Sequence, residues 1–269
     1  MVRKLFKHEF LALMRLFIPV YAVLIAMSVF GRILQIFESD SMIYSIISTF
    51  STTIYVVGIF AVLLLTTIFC VIRFYKNLFT AEGYLTFTLP TTPTKLVLVK
   101  LVTATVFEIA SVVTVLFSVS ILAMGEGFRE IVKAISYLLK ILDGYVGIHL
   151  WLYMLELILT MILAAATGLL LYYGCITVGQ IFRKNRILAA VGVYFACYIV
   201  SQIISTVIAI FASICIDEQF MESIAAFVEA HIIGSIHTVF LVVMAVSLIL
   251  SAVYFFVIKF IIERKLNLE

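Results

Sequence analysis

Six stretches of the chain are apolar without alternation, and each is about as long as a membrane is thick: approximately Phe17 to Phe37, Ile46 to Ile72, Leu96 to Met124, Trp151 to Val178, Ile187 to Cys215 and His237 to Ile262. A hydrocarbon core of roughly 30 Å takes about 20 helical residues. Backbone groups in lipid have no water to bond, and a helix satisfies them within one segment. A membrane β-barrel would alternate apolar and polar residues, which these runs do not. With 65% hydrophobic and 12% charged residues and a mean hydropathy of +1.25, the chain lies outside the range of soluble domains. The sequence therefore predicts an all-α integral membrane protein, with six transmembrane helices in a single domain over residues 1–269.

The charged residues orient those helices, because Lys and Arg in short connections stay on the cytoplasmic side. Most of the 18 basic residues fall in four places. The N-terminus has Arg3, Lys4, Lys7 and Arg15; the second connection has Arg73, Lys76, Lys95 and Lys100; the fourth has Arg183, Lys184 and Arg186; the C-terminal end has Lys259, Arg264 and Lys265. The other connections carry acids: Glu38 and Asp40, then Glu126, Glu130 and Asp143, then Asp217, Glu218, Glu222 and Glu229. Both termini are thus expected in the cytoplasm, and the net charge of +3 reflects topology, not nucleic-acid binding.

A basic start before an apolar run, with Ala26-Met27-Ser28, also resembles a secretory leader. That motif falls inside the run and not at its end, and the later loops already fit an uncleaved first span. Residues 1–16 instead read as an interfacial helix. Val2, Leu5, Phe6, Phe10, Leu13, Met14 and Phe17 share one face, opposite Arg3, Lys4, Lys7, His8 and Arg15. Pro19 is placed to bend it into the first span.

Two further segments have their own character. Residues 125–146 place Phe128, Ile131, Val132, Ile135, Leu138, Leu139 and Leu142 on one helical face, the pattern of an amphipathic helix on the outer membrane surface or capping the bundle. Residues 216–236 are acidic with interspersed apolar groups and fit either a solvated outer loop or a short re-entrant helix. The cysteines Cys70, Cys175, Cys197 and Cys215 lie apart and read as small packing residues, not a disulfide framework.

Signatures of catalysis are missing. There is no Gly-x-Ser-x-Gly elbow, no second histidine at zincin spacing after His8-Glu9, and no Gly-Lys pair for a phosphate-binding loop. With His8, His149, His231 and His237 in different segments, no metal or cofactor is expected. Any ATP-driven work requires another chain.

Two acids lie inside apolar runs, Glu108 in the third and Glu156 in the fourth. A central charge costs about 2.5–3.5 kcal/mol on insertion scales, while each Leu, Ile, Phe or Val returns roughly 0.3–0.6. Twelve such residues between Leu101 and Ile121 return about 4–7 kcal/mol, so the third span inserts despite Glu108. Ala104, Ser111 and Ser118 share a face with Glu108; Tyr153, Thr160, Ala164 and Thr167 share one with Glu156. Small and polar residues favour a helix–helix contact over lipid. The acids are either a polar patch in a translocation path or interior groups protonated or bonded to neighbours, with Arg32 at the outer end of the first span as one available partner.

Residues 73–95 are the most distinctive connection. Arg73 and Lys76 anchor the second helix at the headgroups. Glu82-Gly83-Tyr84-Leu85-Thr86-Phe87-Thr88-Leu89 alternates bulky apolar groups beside a glycine, Pro90 and Pro93 interrupt regular structure, and Lys95 and Lys100 mark re-entry. A short cytosolic apolar segment of this kind suits a groove on a partner; lying flat on the membrane surface is the other reading.

At these residues the chain resembles the permease subunit of type-2 ATP-binding-cassette (ABC-2) transporters. Glu82, Gly83, Leu85, Leu89, Pro90 and Lys100 follow the order of that family's first cytoplasmic loop, although the glycine here follows the glutamate directly. The resemblance implies a type V exporter-like architecture and a coupling loop (Glu82, Gly83, Tyr84, Leu85, Phe87, Leu89 and Pro90) seated in a separate ATPase subunit. It also implies pairing with a second, identical or related permease in a bacterial cytoplasmic membrane, and export of an amphiphile such as a hydrophobic peptide, a lipid-linked molecule or a drug. Glu108, Glu156 and Arg32 are the candidate intramembrane polar sites. Two alternatives remain: a membrane scaffold or sensor that moves nothing, and a proton-coupled secondary transporter using Glu108 or Glu156.

Overall fold

A computed structural model describes residues 2–37, 39–80, 82–83, 92–124, 126–182, 185–215 and 218–264. Among them regular structure is helical throughout: α1 (Val2–Ile36), α2 (Met42–Phe79), α3 (Pro93–Leu122), α4 (Glu126–Val146), a 3-10 turn (Gly147–His149), α5 (Leu150–Gly179), α6 (Arg186–Cys215), α7 (Glu218–Ala230) and α8 (Ile232–Arg264). Six of these, α1, α2, α3, α5, α6 and α8, are long and apolar enough to cross a membrane. The chain has a multi-pass membrane architecture, with the expected apolar runs inside these helices to within a residue or two. It divides into two compact units, Met1–Tyr145 and Val146–Glu269, each with three of the six.

Local chemistry sets the helix ends. Ser41 caps α2, its side-chain oxygen accepting the Tyr44 amide at 3.2 Å. Pro93 opens α3 at the position where a missing N–H costs nothing. Gly147, at φ +56°, and Asn185, at φ +55°, supply the left-handed turns before α5 and α6, a conformation that Gly and Asn tolerate best.

In the first unit α1 runs parallel to α3 and antiparallel to α2. The register of α1 on α3 stays at an offset of 90 or 91 positions from Glu9 against Lys100 to Tyr21 against Ser111. Phe17 against Phe107 and Gly31 against Leu122 keep the same step. Pro19 therefore lies inside one continuous helix and does not end it. Its ring is exposed, on the side away from buried Leu13, Phe17, Leu24 and Ser28. The helical periodicity expected over residues 1–16 is present, but from Glu9 onward this segment is packed on α2 and α3. At about 1.5 Å per residue, the 38 residues of α2 extend about 57 Å, well beyond a hydrocarbon core of roughly 30 Å. The α2 end at Arg73 to Phe79, the start of α1 and the start of α3 come together at one end of this unit, called its foot below.

The amphipathic helix expected at 125–146 is α4. Its Val132, Ile135 and Leu138 are about half exposed. In the second unit α5 and α8 lie parallel, and α6 returns along α5, with Tyr172 stacked on Tyr194 at 5.6 Å. Beyond Tyr194 almost every described α6 side chain is exposed, an apolar surface suited to lipid or another membrane helix. The acidic segment at 216–236 contains the short helix α7.

Basic residues concentrate at one end of each unit. In the first, Lys4, Lys7, Arg73, Lys76, Lys95 and Lys100 gather at the foot with Glu9 and Glu82 among them, and Arg32 and Asp40 lie toward the far end; in the second, Arg186, Lys259, Glu263 and Arg264 share one end and Glu222 belongs to the other.

Candidate functional site

The foot of the first unit is built around Glu9. One turn of α2 places Arg73 and Asn77 on the same face, and α3 brings Lys100 to it from its second turn. Arg73 Nε donates to Glu9 Oε2 at 2.7 Å, Asn77 Nδ2 donates to Oε1 at 2.9 Å, and Lys100 Nζ donates to the same Oε1. Lys100 is buried and Glu9 nearly so, while Arg73 reaches solvent. Both carboxylate oxygens accept charge-assisted or amide hydrogen bonds, which is what makes a desolvated ion tolerable. Phe10 and Phe17 pack on Phe107 just above, each with ring centroids 5.2 Å apart, and close the cluster from the bundle interior.

The α2–α3 connection leaves and re-enters at this foot. Glu82 is exposed and lies within electrostatic reach of Lys100. Gly83 is buried and donates its amide to the Thr80 carbonyl at 2.8 Å. A Cβ at Gly83 would run into the Leu78 carbonyl, so the close approach itself demands glycine. Tyr84, Leu85, Phe87, Leu89 and Pro90 lie outside the described residues.

Sequence reasoning singled out Lys100 and Arg73 as membrane anchors and missed Glu9, which it weighed only beside His8 as part of a zinc-binding pattern. A signal was present: Glu9 is the only acid before residue 38, and a lysine inside an apolar run needs one.

Above the foot, polar side chains continue along the inner face of α3. Ser111, fully buried, lies 2.7 Å from both the Tyr21 hydroxyl and Thr66 Oγ1, joining all three helices. Ser118 lies 2.9 Å from the Tyr55 hydroxyl. Ala104, Ser111 and Ser118 are all buried, so this face is the helix–helix contact expected from their spacing. Glu108, half-buried at its edge, accepts from Thr67 at 2.7 Å. Arg32 does not pair with it; its guanidinium donates to Gln35 at 3.0 Å on the same helix. At the far end a cavity of about 30 Å³ is lined by Gly31, Gln35, Tyr44, Ser48, Tyr55 and Leu122, polar and large enough for a water. Ser111→Ala would leave two interior hydroxyls without their shared partner. It should lower stability by about 1–2 kcal/mol in thermal unfolding, whereas Ser120→Ala, at an exposed hydroxyl bonded only to its own helix, should change nothing measurable.

In the second unit Glu156, buried on α5, meets His237 on α8: imidazole Nδ1 is 2.9 Å from both carboxylate oxygens. Tyr153, one turn earlier, stacks on the imidazole with centroids 4.3 Å apart and donates to the Ile233 carbonyl at 2.8 Å. Further along, Thr167 lies 2.8 Å from Ser251 Oγ. Tyr153, Glu156 and Thr167 thus share the face expected of them, and it packs on α8. The partner of Glu156 is His237. Nothing in the sequence spacing pairs residues 81 positions apart.

No family model matches the chain, and comparison with curated proteins and with solved structures finds no match either.

Proposed function

We propose that this chain is the membrane-spanning subunit of an ATP-driven exporter of the ABC-2 class. In this reading both termini and the α2–α3 connection are cytoplasmic, and a separate ATPase subunit seats the segment from Glu82 to Leu89. The observation that carries the reading is the foot of the first unit. The connection's two ends are fixed to each other and to α1 by Glu9, Arg73, Asn77 and Lys100, so a push on the connection would move three membrane helices as one body. A loop that merely lay on the membrane would not need a desolvated ionic tie at its base. The gathering of basic residues at that end agrees with a cytoplasmic foot. The exposed apolar surfaces suit an amphiphilic cargo and a second permease, identical or related.

The test is affinity purification of the tagged full chain from its native membranes, with co-purifying proteins identified by mass spectrometry. A Walker A protein of roughly 230–300 residues is expected with the wild type. Scrambling residues 82–89 should cut its recovery at least tenfold while the permease still elutes as a folded species. Equal recovery with the scrambled segment would remove the docking role, and transport that survives ATP depletion but collapses with the proton gradient would replace this reading with a secondary transporter.

A further inference from the structure

We propose that Glu156 and His237 form a proton-binding clasp that holds the first turns of α5 and α8 together when charged and loosens when the proton leaves. The proposal stands on the geometry of the second unit and does not depend on the transport reading.

Imidazole Nδ1 is 2.9 Å from both carboxylate oxygens, and when Glu156 is ionised it has only acceptors, so the shared hydrogen is then carried by Nδ1. The other ring nitrogen, Nε2, is buried and has no hydrogen-bond partner among the described residues. Its proton sets the charge of the contact. With it, imidazolium faces carboxylate, the pair is neutral overall and the bond is charge-assisted. Without it, one neutral N–H faces a buried carboxylate and a net negative charge stays between the helices. Charge-assisted bonds are roughly twice as strong as neutral ones, and an uncompensated buried charge is costly.

Among the described residues of the second unit no other cation lies near this contact. α5 and α7 contain no Lys or Arg, and α8 has none before Lys259, at its far end. α6 brings only Arg186, also at the opposite end. The remaining titratable neighbours have other roles. The Tyr153 hydroxyl is engaged by Ile233, His149 meets the imidazole edge-on at 5.8 Å from the exposed end of α5, and His231 stacks on Phe227 of α7 at 4.7 Å. Glu222 of α7 is exposed. Imidazole can hold or release this second proton, so the clasp would answer to the pH on the side where α5 and α8 begin.

The experiment is hydrogen exchange of the full chain in lipid nanodiscs at about pH 5.5–8.5, with rates corrected for intrinsic pH dependence. Amide protection in the first two turns of α5 and α8 should fall about tenfold as the pH rises, the difference between a charge-assisted and a neutral hydrogen bond. That fall should vanish in Glu156→Gln and His237→Gln and persist in His149→Ala. A flat wild type, a fall that survives His237→Gln, or one lost in His149→Ala with His237 intact would each overturn the proposal. Where the substituted chains do not fold, imidazole nitrogen resonances of the wild type decide. The His237 signals must change in step with protection, and protection that changes while they stay constant overturns the clasp.

Discussion

Glu9→Ala is expected to destabilise the protein by about 3–5 kcal/mol, because it leaves Lys100 buried opposite nothing. Removing one partner of a desolvated pair forfeits the attraction and keeps the desolvation cost of the other. Arg73 can turn its guanidinium to solvent, being about one-third exposed, but Lys100 is held inside the contact of α1 with α3. Lys100→Met should be milder, since Glu9 keeps Arg73 and Asn77 and the methionine fills the space without a charge. Glu9→Gln should fall between the two. Thermal unfolding of the purified chain in detergent, followed by circular dichroism, checks the order. If Glu9→Ala is no worse than Lys100→Met, Glu9 does not tie the three helices, and the transmission proposed for the foot loses its base.

Gly179→Val should cost about 2–3 kcal/mol by overpacking and displace the start of α6 from the end of α5. A Cβ at Gly179 would sit 2.8 Å from both the Ala190 Cβ and the Ala190 amide nitrogen and 2.9 Å from its Cα. Those are atoms of a rigid helix backbone or fixed to it, so no side-chain rotation relieves the clash. Gly174, five residues earlier on the same helix, has nothing within 4 Å of such a Cβ. Gly174→Ala should therefore be neutral or gain up to about 1 kcal/mol in helix propensity. Comparing the two by the detergent stability of their size-exclusion peaks separates close approach from helix propensity. Equal behaviour would mean that α5 and α6 do not meet at Gly179.

These two residues show where reading the chain stops. The apolar runs were legible because a bilayer imposes length and composition on each span separately, with no reference to its neighbours. The same holds for α4, whose apolar stripe is a local periodicity. Proline's local effect suggests a bend at Pro19, while α1 continues through it and keeps a constant register on α3 from Glu9 to Gly31. Arg32 was offered as a partner for buried acids by depth alone, yet its nearest acceptor is Gln35 on its own helix.

The chain by itself determined that six segments are membrane helices, that basic and acidic connections alternate, and that residues 73–95 are unlike the rest, since each follows from free energies that residues contribute locally. Only the tertiary structure decided that Glu9 is the counter-ion of Lys100 and Arg73, that Glu156 answers to His237, and that Gly179 and not Gly174 is a point of close approach. Within apolar helices of similar composition any face could in principle pack. Helix register selects among them, through partners up to 91 positions away.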